Sequence, residues 1–255
     1  MTGRPDDASP GIAVADLVKT YGRVTALDTI SFSLPHGSFT ALLGPNGAGK
    51  STLMQILTGL FAADSGTVAV DGLSLSESPV AVLARLGIVF QQPSLDLDLT
   101  VAQNLAYFAG LHGLTGARRA TAIDGALALF GLGGERNARV RRLSGGTRRK
   151  IELGRALMAD PSILLLDEAT QGLDPASRRD LVAHVRVLAD RRGLTVLWAT
   201  HIVSEVAEAD AVIVLDRGRI VASGPPTRIV AEAGAASLEE AFLALTARTG
   251  ADRAA

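Results

Sequence analysis

The chain has 255 residues, with 25 Lys and Arg against 26 Asp and Glu, a formal net charge of −1 and no cysteine. That balance supplies no global basic field to draw in nucleic acid, and the absence of thiols excludes disulfides and thiolate metal sites. Mean hydropathy is +0.28, yet no stretch reaches the ~18 uninterrupted apolar residues of a membrane span.

Residues 1–10 read as a flexible tail, polar and acidic, without the apolar segment of a signal peptide. From Ile12 to Ala41 the apolar positions are mostly β-branched or aromatic, which predicts β-structure, with a turn at Pro35-His36-Gly37. Ala41-Leu42-Leu43 ends a buried strand, and a helix follows from about Gly49 to Thr58. Gly66 to Asp71 and Leu86 to Phe90 read as further strands. Beyond Gln92 the pattern turns helical from Thr100 to about Phe130, with breaks near His112-Gly113 and Thr115-Gly116 and Thr115 as a cap. Another helix runs from Ser144 to Met158. Strands at Ile163 to Leu166, Leu194 to Ala199 and Ala211 to Leu215 alternate with a helix over Pro175 to Asp190. A strand pair turns at Asp216 to Gly218. Strand alternating with helix predicts an α/β fold, with a largely parallel sheet and helices on both faces.

Gly44-Pro45-Asn46-Gly47-Ala48-Gly49-Lys50-Ser51 matches the phosphate-loop pattern G-x-x-x-x-G-K-S. Glycines let backbone N–H groups approach phosphate oxygens, and the helix that follows adds its positive end. Lys50 brings a cation to the β and γ phosphates, and Ser51 offers a hydroxyl to Mg²⁺. Thr52, next in the helix, counts with the nucleotide-binding set. The loop follows an apolar strand and opens a helix, as its mechanism requires. Four apolar residues, Ile163 to Leu166, lead into Asp167 and Glu168 at the carboxyl end of a strand, where ligands bind in such sheets. Asp167 is the candidate for organising Mg²⁺ and Glu168 for polarising the attacking water. In Leu143-Ser144-Gly145-Gly146-Thr147, a Ser-Gly-Gly opening a helix makes a second anion-binding terminus.

With these segments in this order the chain resembles the ATP-binding subunits of ABC transporters over about Ile12 to Arg248. The resemblance implies a P-loop NTPase core with a parallel sheet, an N-terminal antiparallel β subdomain and an inserted helical subdomain at about 93–158. Together with a C-terminal helical tail at about 225–255, these make one ABC ATPase cassette. Ser144, Gly145 and Gly146 look like the family's signature segment, which contacts the γ-phosphate held by another subunit. A head-to-tail homodimer or heterodimer sandwiching two ATP molecules is therefore expected. Tyr21 sits where the family stacks an aromatic on adenine. Gln91, with Gln92 beside it, resembles the glutamine that touches Mg²⁺ and water and senses the membrane partner. Asp174 resembles the loop residue crossing the dimer interface, and His201 the histidine near the γ-phosphate. Ala169 stands where proline usually follows the acid pair, which is expected to loosen the turn. Thr147 stands where glutamine is commonest.

The resemblance further implies ATP and Mg²⁺ as cofactors and an integral membrane permease as partner. It places the chain in the cytoplasm, peripheral on the inner face of the membrane. Ser237-Leu238-Glu239-Glu240-Ala241-Phe242-Leu243 is similar to the tail of exporter-type ATPases, which implies export. A narrower likeness, in Phe90 to Leu99 and Val196 to His201, is to ATPases associated with PQQ-dependent alcohol oxidation. An ABC-type ATPase acting on nucleic acid or ribosomes is the alternative, but the chain carries neither a long coiled-coil insertion nor a second cassette. The basic clusters Arg139 to Arg142 and Arg148 to Lys150 lack interleaved aromatics, so they read as a solvated helix face and no nucleic acid is expected as partner.

Overall fold

The computed structural model describes residues 9–206 and 209–251, so residues 1–8 of the expected tail and residues 252–255 lie outside the described residues. The chain opens with strands β1 (Ile12–Tyr21), β2 (Val24–Leu34) and β3 (Phe39–Leu43), followed by helix α1 (Lys50–Leu57). Next come β4 (Ser65–Val70), β5 (Leu73–Ser74), the short α2 (Pro79–Leu83) and β6 (Leu86–Val89). Helices α3 (Val101–Leu111), α4 (Gly116–Ala128) and α5 (Gly145–Ala156) precede β7 (Ile163–Asp167). The remainder is α6 (Pro175–Arg192), β8 (Thr195–Thr200), β9 (Ala211–Asp216), β10 (Arg219–Gly224), α7 (Pro226–Ala233) and α8 (Leu238–Ala251).

Two sheets result. One has six strands in the order β10-β9-β3-β8-β7-β6, parallel except for the β9–β10 pair. The other is antiparallel, in the order β2-β1-β4-β5. β3, β7 and β8 are buried along their whole length, as strands covered on both faces must be, and that is why they read as continuous apolar runs. On one face, Ala41, Leu43, Leu164, Leu166, Val196 and Trp198 pack with Leu153 of α5, Leu181 and Val185 of α6, and Phe242 of α8.

The opposite face carries a helix as expected, and the antiparallel β subdomain implied by the resemblance shares the covering. Leu42, Leu165, Leu197 and Ile213 meet Leu53 and Met54 of α1, but also Ile12, Leu17, Leu27 and Ile30 of the antiparallel sheet. The β1–β2 hairpin buries an apolar stripe of its own, so a second sheet does part of the covering. A third core of Leu95, Val101, Leu105, Ile123, Leu127, Val140 and Ile151 joins α3, α4 and α5.

Local chemistry sets the helix starts. Thr100 caps α3 in a reciprocal box with Gln103: the Gln103 amide donates to Thr100 Oγ1 at 3.2 Å, and the Thr100 amide donates to Gln103 Oε1 at 2.8 Å. Thr115 occupies the capping position of α4, as its place in the sequence suggests, but its hydroxyl makes no capping bond.

Candidate active site

The phosphate loop is squeezed between two strands, and its glycines answer that geometry. A Cβ on Gly44 would lie 2.3 Å from the carbonyl oxygen of Leu215 at the end of β9. Gly49 has φ of 109°, and a Cβ there would lie 2.5 Å from the carbonyl oxygen of Ala26. No other residue type fits either position without moving the backbone. The Gly218 amide donates to the Ala48 carbonyl at 2.8 Å and ties the loop to the β9–β10 turn.

Lys50, the first residue of α1, is buried within this loop. Its Nζ donates to the carbonyls of Gly44 at 2.7 Å and Pro45 at 3.1 Å and lies 3.8 Å from Glu168 Oε1. Burial lowers its pKa, and the charges of Glu168 and Asp167 oppose that shift.

The acid pair ends β7. Asp167 is buried, and its carboxyl is raised first by burial and then by the charge of Glu168, while the Ser51 hydroxyl and Lys50 act in the other direction. Its Oδ1 is buried with no hydrogen-bond partner. Glu168 leaves the strand at φ of 46°, an unfavourable backbone region for a glutamate. Its amide still donates to the Ala199 carbonyl at 2.9 Å. That turn aims its carboxylate at the loop: Oε2 accepts from Gln91 Nε2 at 3.3 Å, and Oε1 lies 3.2 Å from His201 Nδ1.

A cavity of about 500 Å³ opens over Lys50 and Glu168, while Asp167 and His201 lie outside its lining. Asn46, Gly47, Gly49, Lys50, Ser51 and Thr52 line it, together with Gln91 and Glu168. Val24, Thr25, Ala26 and Arg217 complete the wall; the sequence offered no sign of these four beyond the turn that holds Arg217. The Ser51 hydroxyl and the unpartnered Asp167 oxygen are hard oxygen donors of the kind Mg²⁺ takes. Among the described residues no group of three or more His, Cys, Asp or Glu can hold a metal by itself. The donor set therefore suits an ion that draws its other ligands from phosphate and water.

Other expected site residues lie elsewhere. Gly44, Pro45 and Ala48 form the back of the loop rather than the cavity wall. Tyr21 is half-exposed, edge-on to Phe61 at 6.3 Å between ring centroids, with Lys19 Nζ 5.5 Å from its ring. It pairs across the hairpin with Val24, which does line the cavity. Ser144 caps α5 by accepting from the Thr147 amide at 3.1 Å, and its hydroxyl meets the Thr147 hydroxyl at 2.9 Å. Ser144 and Gly145 are exposed and, with Gly146, lie off the cavity of their own chain. Asp174 caps α6 through the amides of Ala176 and Ser177 at 3.0 Å each, and the Ser177 bonds hold its pKa low.

Two expectations need correction. Arg148 to Lys150 is no solvated face: Arg149 is buried and bonded to the carbonyls of Phe90, Glu168 and Ala169, and Arg148 donates to those of Val140 and Arg141. Nor is the turn at Ala169 slack. Ala169 is fully buried, its carbonyl is held by Arg149, and the Gln171 amide donates to the Glu168 carbonyl at 3.0 Å. Glu205 also escaped the sequence reading. It is buried and accepts from Thr170, from Thr200 at 2.7 Å and from the Trp198 indole at 3.3 Å, with Arg178 at 3.4 Å. Its place four residues beyond His201 was the available signal.

The family profile described as ABC transporter matches residues 27–171, more than half of the chain. The chain belongs to the ABC transporter family. It is 38% identical over 214 residues to the Nod factor export ATP-binding protein I of Paraburkholderia xenovorans, covering 84% of this chain and 70% of that one. It is 39% identical over 219 residues to the sulfate/thiosulfate import ATP-binding protein CysA of Mycobacterium tuberculosis, covering 86% of this chain and 62% of that one. Among solved structures, cbiO1 of Clostridium perfringens, part of the ABC transporter complex cbiONQ, superposes with a TM-score of 0.80 at 29% identity, over 88% of this chain and 92% of that one. A dimeric ATP-binding cassette in a post-hydrolysis state with ADP and Pi bound gives 0.76 at 25% identity, over 84% and 98%. The expected α/β P-loop class is the class of these neighbours. This ABC cassette binds ATP, and its hydrolysis of ATP powers transport. Among the described residues no helix is long and apolar enough to cross a membrane.

Proposed function

We propose that two copies of this cassette hydrolyse two ATP molecules at their shared interface and thereby drive an integral membrane permease in export. The convergence of Gln91, His201 and Lys50 on the single carboxylate of Glu168 carries this reading. A carboxylate fixed at both oxygens is placed to accept a proton from attacking water. Lys50 and the loop amides hold the β and γ phosphates, Tyr21 packs on the adenine, and His201 faces the transferring phosphoryl. Ser51 and Asp167, with Gln91, would hold Mg²⁺, which when bound neutralises phosphate charge. Catalysis of this type rests on positioning and electrostatics rather than covalent chemistry.

The exposed N-terminus of α5 supports the shared interface. Ser144, Gly145 and Gly146 open a helix outside the cavity of their own chain, which supports a role for that helix end at the phosphate of a partner copy. The loop of Asp174 shares that surface: a Cβ on Gly145 would lie 3.8 Å from Leu173 Cδ2. Export is supported by the exporter-like segment from Ser237 to Leu243 and by similarity to the Nod factor export subunit. Association with a permease places the chain on the cytoplasmic side of the membrane.

The test uses the chain co-expressed with a multi-span permease that co-purifies with it, in inside-out vesicles. ATP added outside is expected to drive cargo into the vesicle lumen. Cargo movement out of the lumen overturns the direction, and a stable monomer that hydrolyses ATP at full rate with no dependence on concentration overturns the shared site.

A further inference from the structure

Three charged residues of α5, Arg149, Glu152 and Arg155, are buried. Buried charges are tolerated only where each is bonded, so their partners are informative. Arg149 Nη1 donates to the Phe90 carbonyl at 2.8 Å and to Glu152 Oε2 at 2.7 Å. Its Nη2 donates to the Glu168 carbonyl at 3.1 Å and its Nε to the Ala169 carbonyl. Glu152 Oε1 accepts the Ser94 amide at 2.7 Å. Arg155 adds bonds to Ser94 Oγ at 2.7 Å and to the Ile88 carbonyl at 2.9 Å.

Phe90 and Ser94 flank Gln91, and Glu168 and Ala169 form the turn that aims the catalytic-site carboxylate. We propose that the Arg149–Glu152 pair is a positioning clamp, which holds the Gln91 segment and the Glu168 turn as one unit on the helix that begins at Ser144. One guanidinium reaches three carbonyls in two separate segments, and its partner carboxylate grips the far end of the first. Neither side chain lines the cavity, so both act through Gln91 and Glu168. A shift of α5, of the Gln91 segment or of the acid turn is thereby passed to the other two. Lysine cannot replace Arg149, because a single ammonium lacks the planar fork that spans the three carbonyls.

The catalytic consequence rests on the roles proposed for Gln91 and Glu168; the structural one does not, and the experiment separates them. Glu152→Gln and Arg149→Lys are made in the full chain, the first being isosteric and the safer folder. Amide exchange is followed at Ser94 and at Gln171, whose amide bonds the Glu168 carbonyl, with Leu53 of α1 as the control. Losing a charge-assisted bond is expected to speed exchange at Ser94 and Gln171 together by about tenfold or more, with Leu53 unchanged. The turnover number should fall by about 10- to 100-fold, while half-saturation by ATP moves less than about threefold. Loosening of only one segment, or of neither, overturns the clamp. Joint loosening with full turnover keeps the clamp and overturns the roles of Gln91 and Glu168.

Discussion

Nδ1 of His201 lies 3.2 Å from Oε1 of Glu168, two groups 33 residues apart in sequence brought together at the ends of adjacent parallel strands. The other oxygen of Glu168 is held by Gln91, 77 residues away. Both carboxylate oxygens are thus held by protein groups, at the cost of a left-handed backbone at Glu168.

Glu168→Gln keeps the shape and the Gln91 contact but removes the base. Steady-state ATPase assays should show a fall of about 10²-fold or more, while ATP binding persists and an ATP-bound dimer accumulates on gel filtration. Retained turnover would sink Glu168 as the base.

Lys50→Ala removes the cation at the centre of the loop. Nucleotide binding measured by calorimetry should become undetectable, since bonds from a buried ammonium to phosphate are of the charge-assisted kind worth about 1.5–3 kcal/mol each. Unchanged affinity would refute its role at the phosphates.

Asp167 makes the opposite trade. Its carboxyl is raised by burial and by the charge of Glu168. A raised acid favours the folded state only while protonated, so stability falls as pH rises from the unfolded value of about 3.9 through the folded one, and the deficit persists at neutral pH. Asp167→Asn should therefore raise the melting temperature at pH 7 without nucleotide by about 2 °C or more. The same variant should lose the further rise that ATP and Mg²⁺ give the native chain. A lower melting temperature without nucleotide contradicts this account.

Glu205 ties the end of β8 to the acid turn through Thr200, Trp198 and Thr170. Glu205→Ala strands three donors and the Arg178 cation, which should cost about 3–5 kcal/mol in chemical unfolding. Trp198 is the chain's one tryptophan, so its emission reads this site directly and should shift in the variant. Unfolding and emission identical to the native chain would remove Glu205 from the network.

The sequence made the phosphate loop, the acid pair and the buried parallel strands legible because each depends on local pattern: glycine spacing, apolar runs and the residues that end them. The second sheet's share in covering the core was not legible, since the β1–β2 hairpin's alternation shows that one face is buried but not what it meets. Arg149 was misread for a similar reason. A run of Arg148-Arg149-Lys150 looks like solvent, and only the return of Phe90 and Glu168 to the same helix face makes the middle residue internal. Thr115 shows the converse, a correct position whose hydroxyl makes no capping bond.

The N-terminus of α5 is exposed and separated from the cavity of its own chain, and this has a genetic consequence. If the proposed head-to-tail pair forms, each chain donates a loop to one pocket and a serine-glycine end to the other, so the two defects are separable. Mixing a Lys50→Ala chain with a chain altered at Ser144 would unite both lesions in one pocket and leave the other wholly native. Two inactive preparations would then restore up to one working pocket per pair, by intragenic complementation.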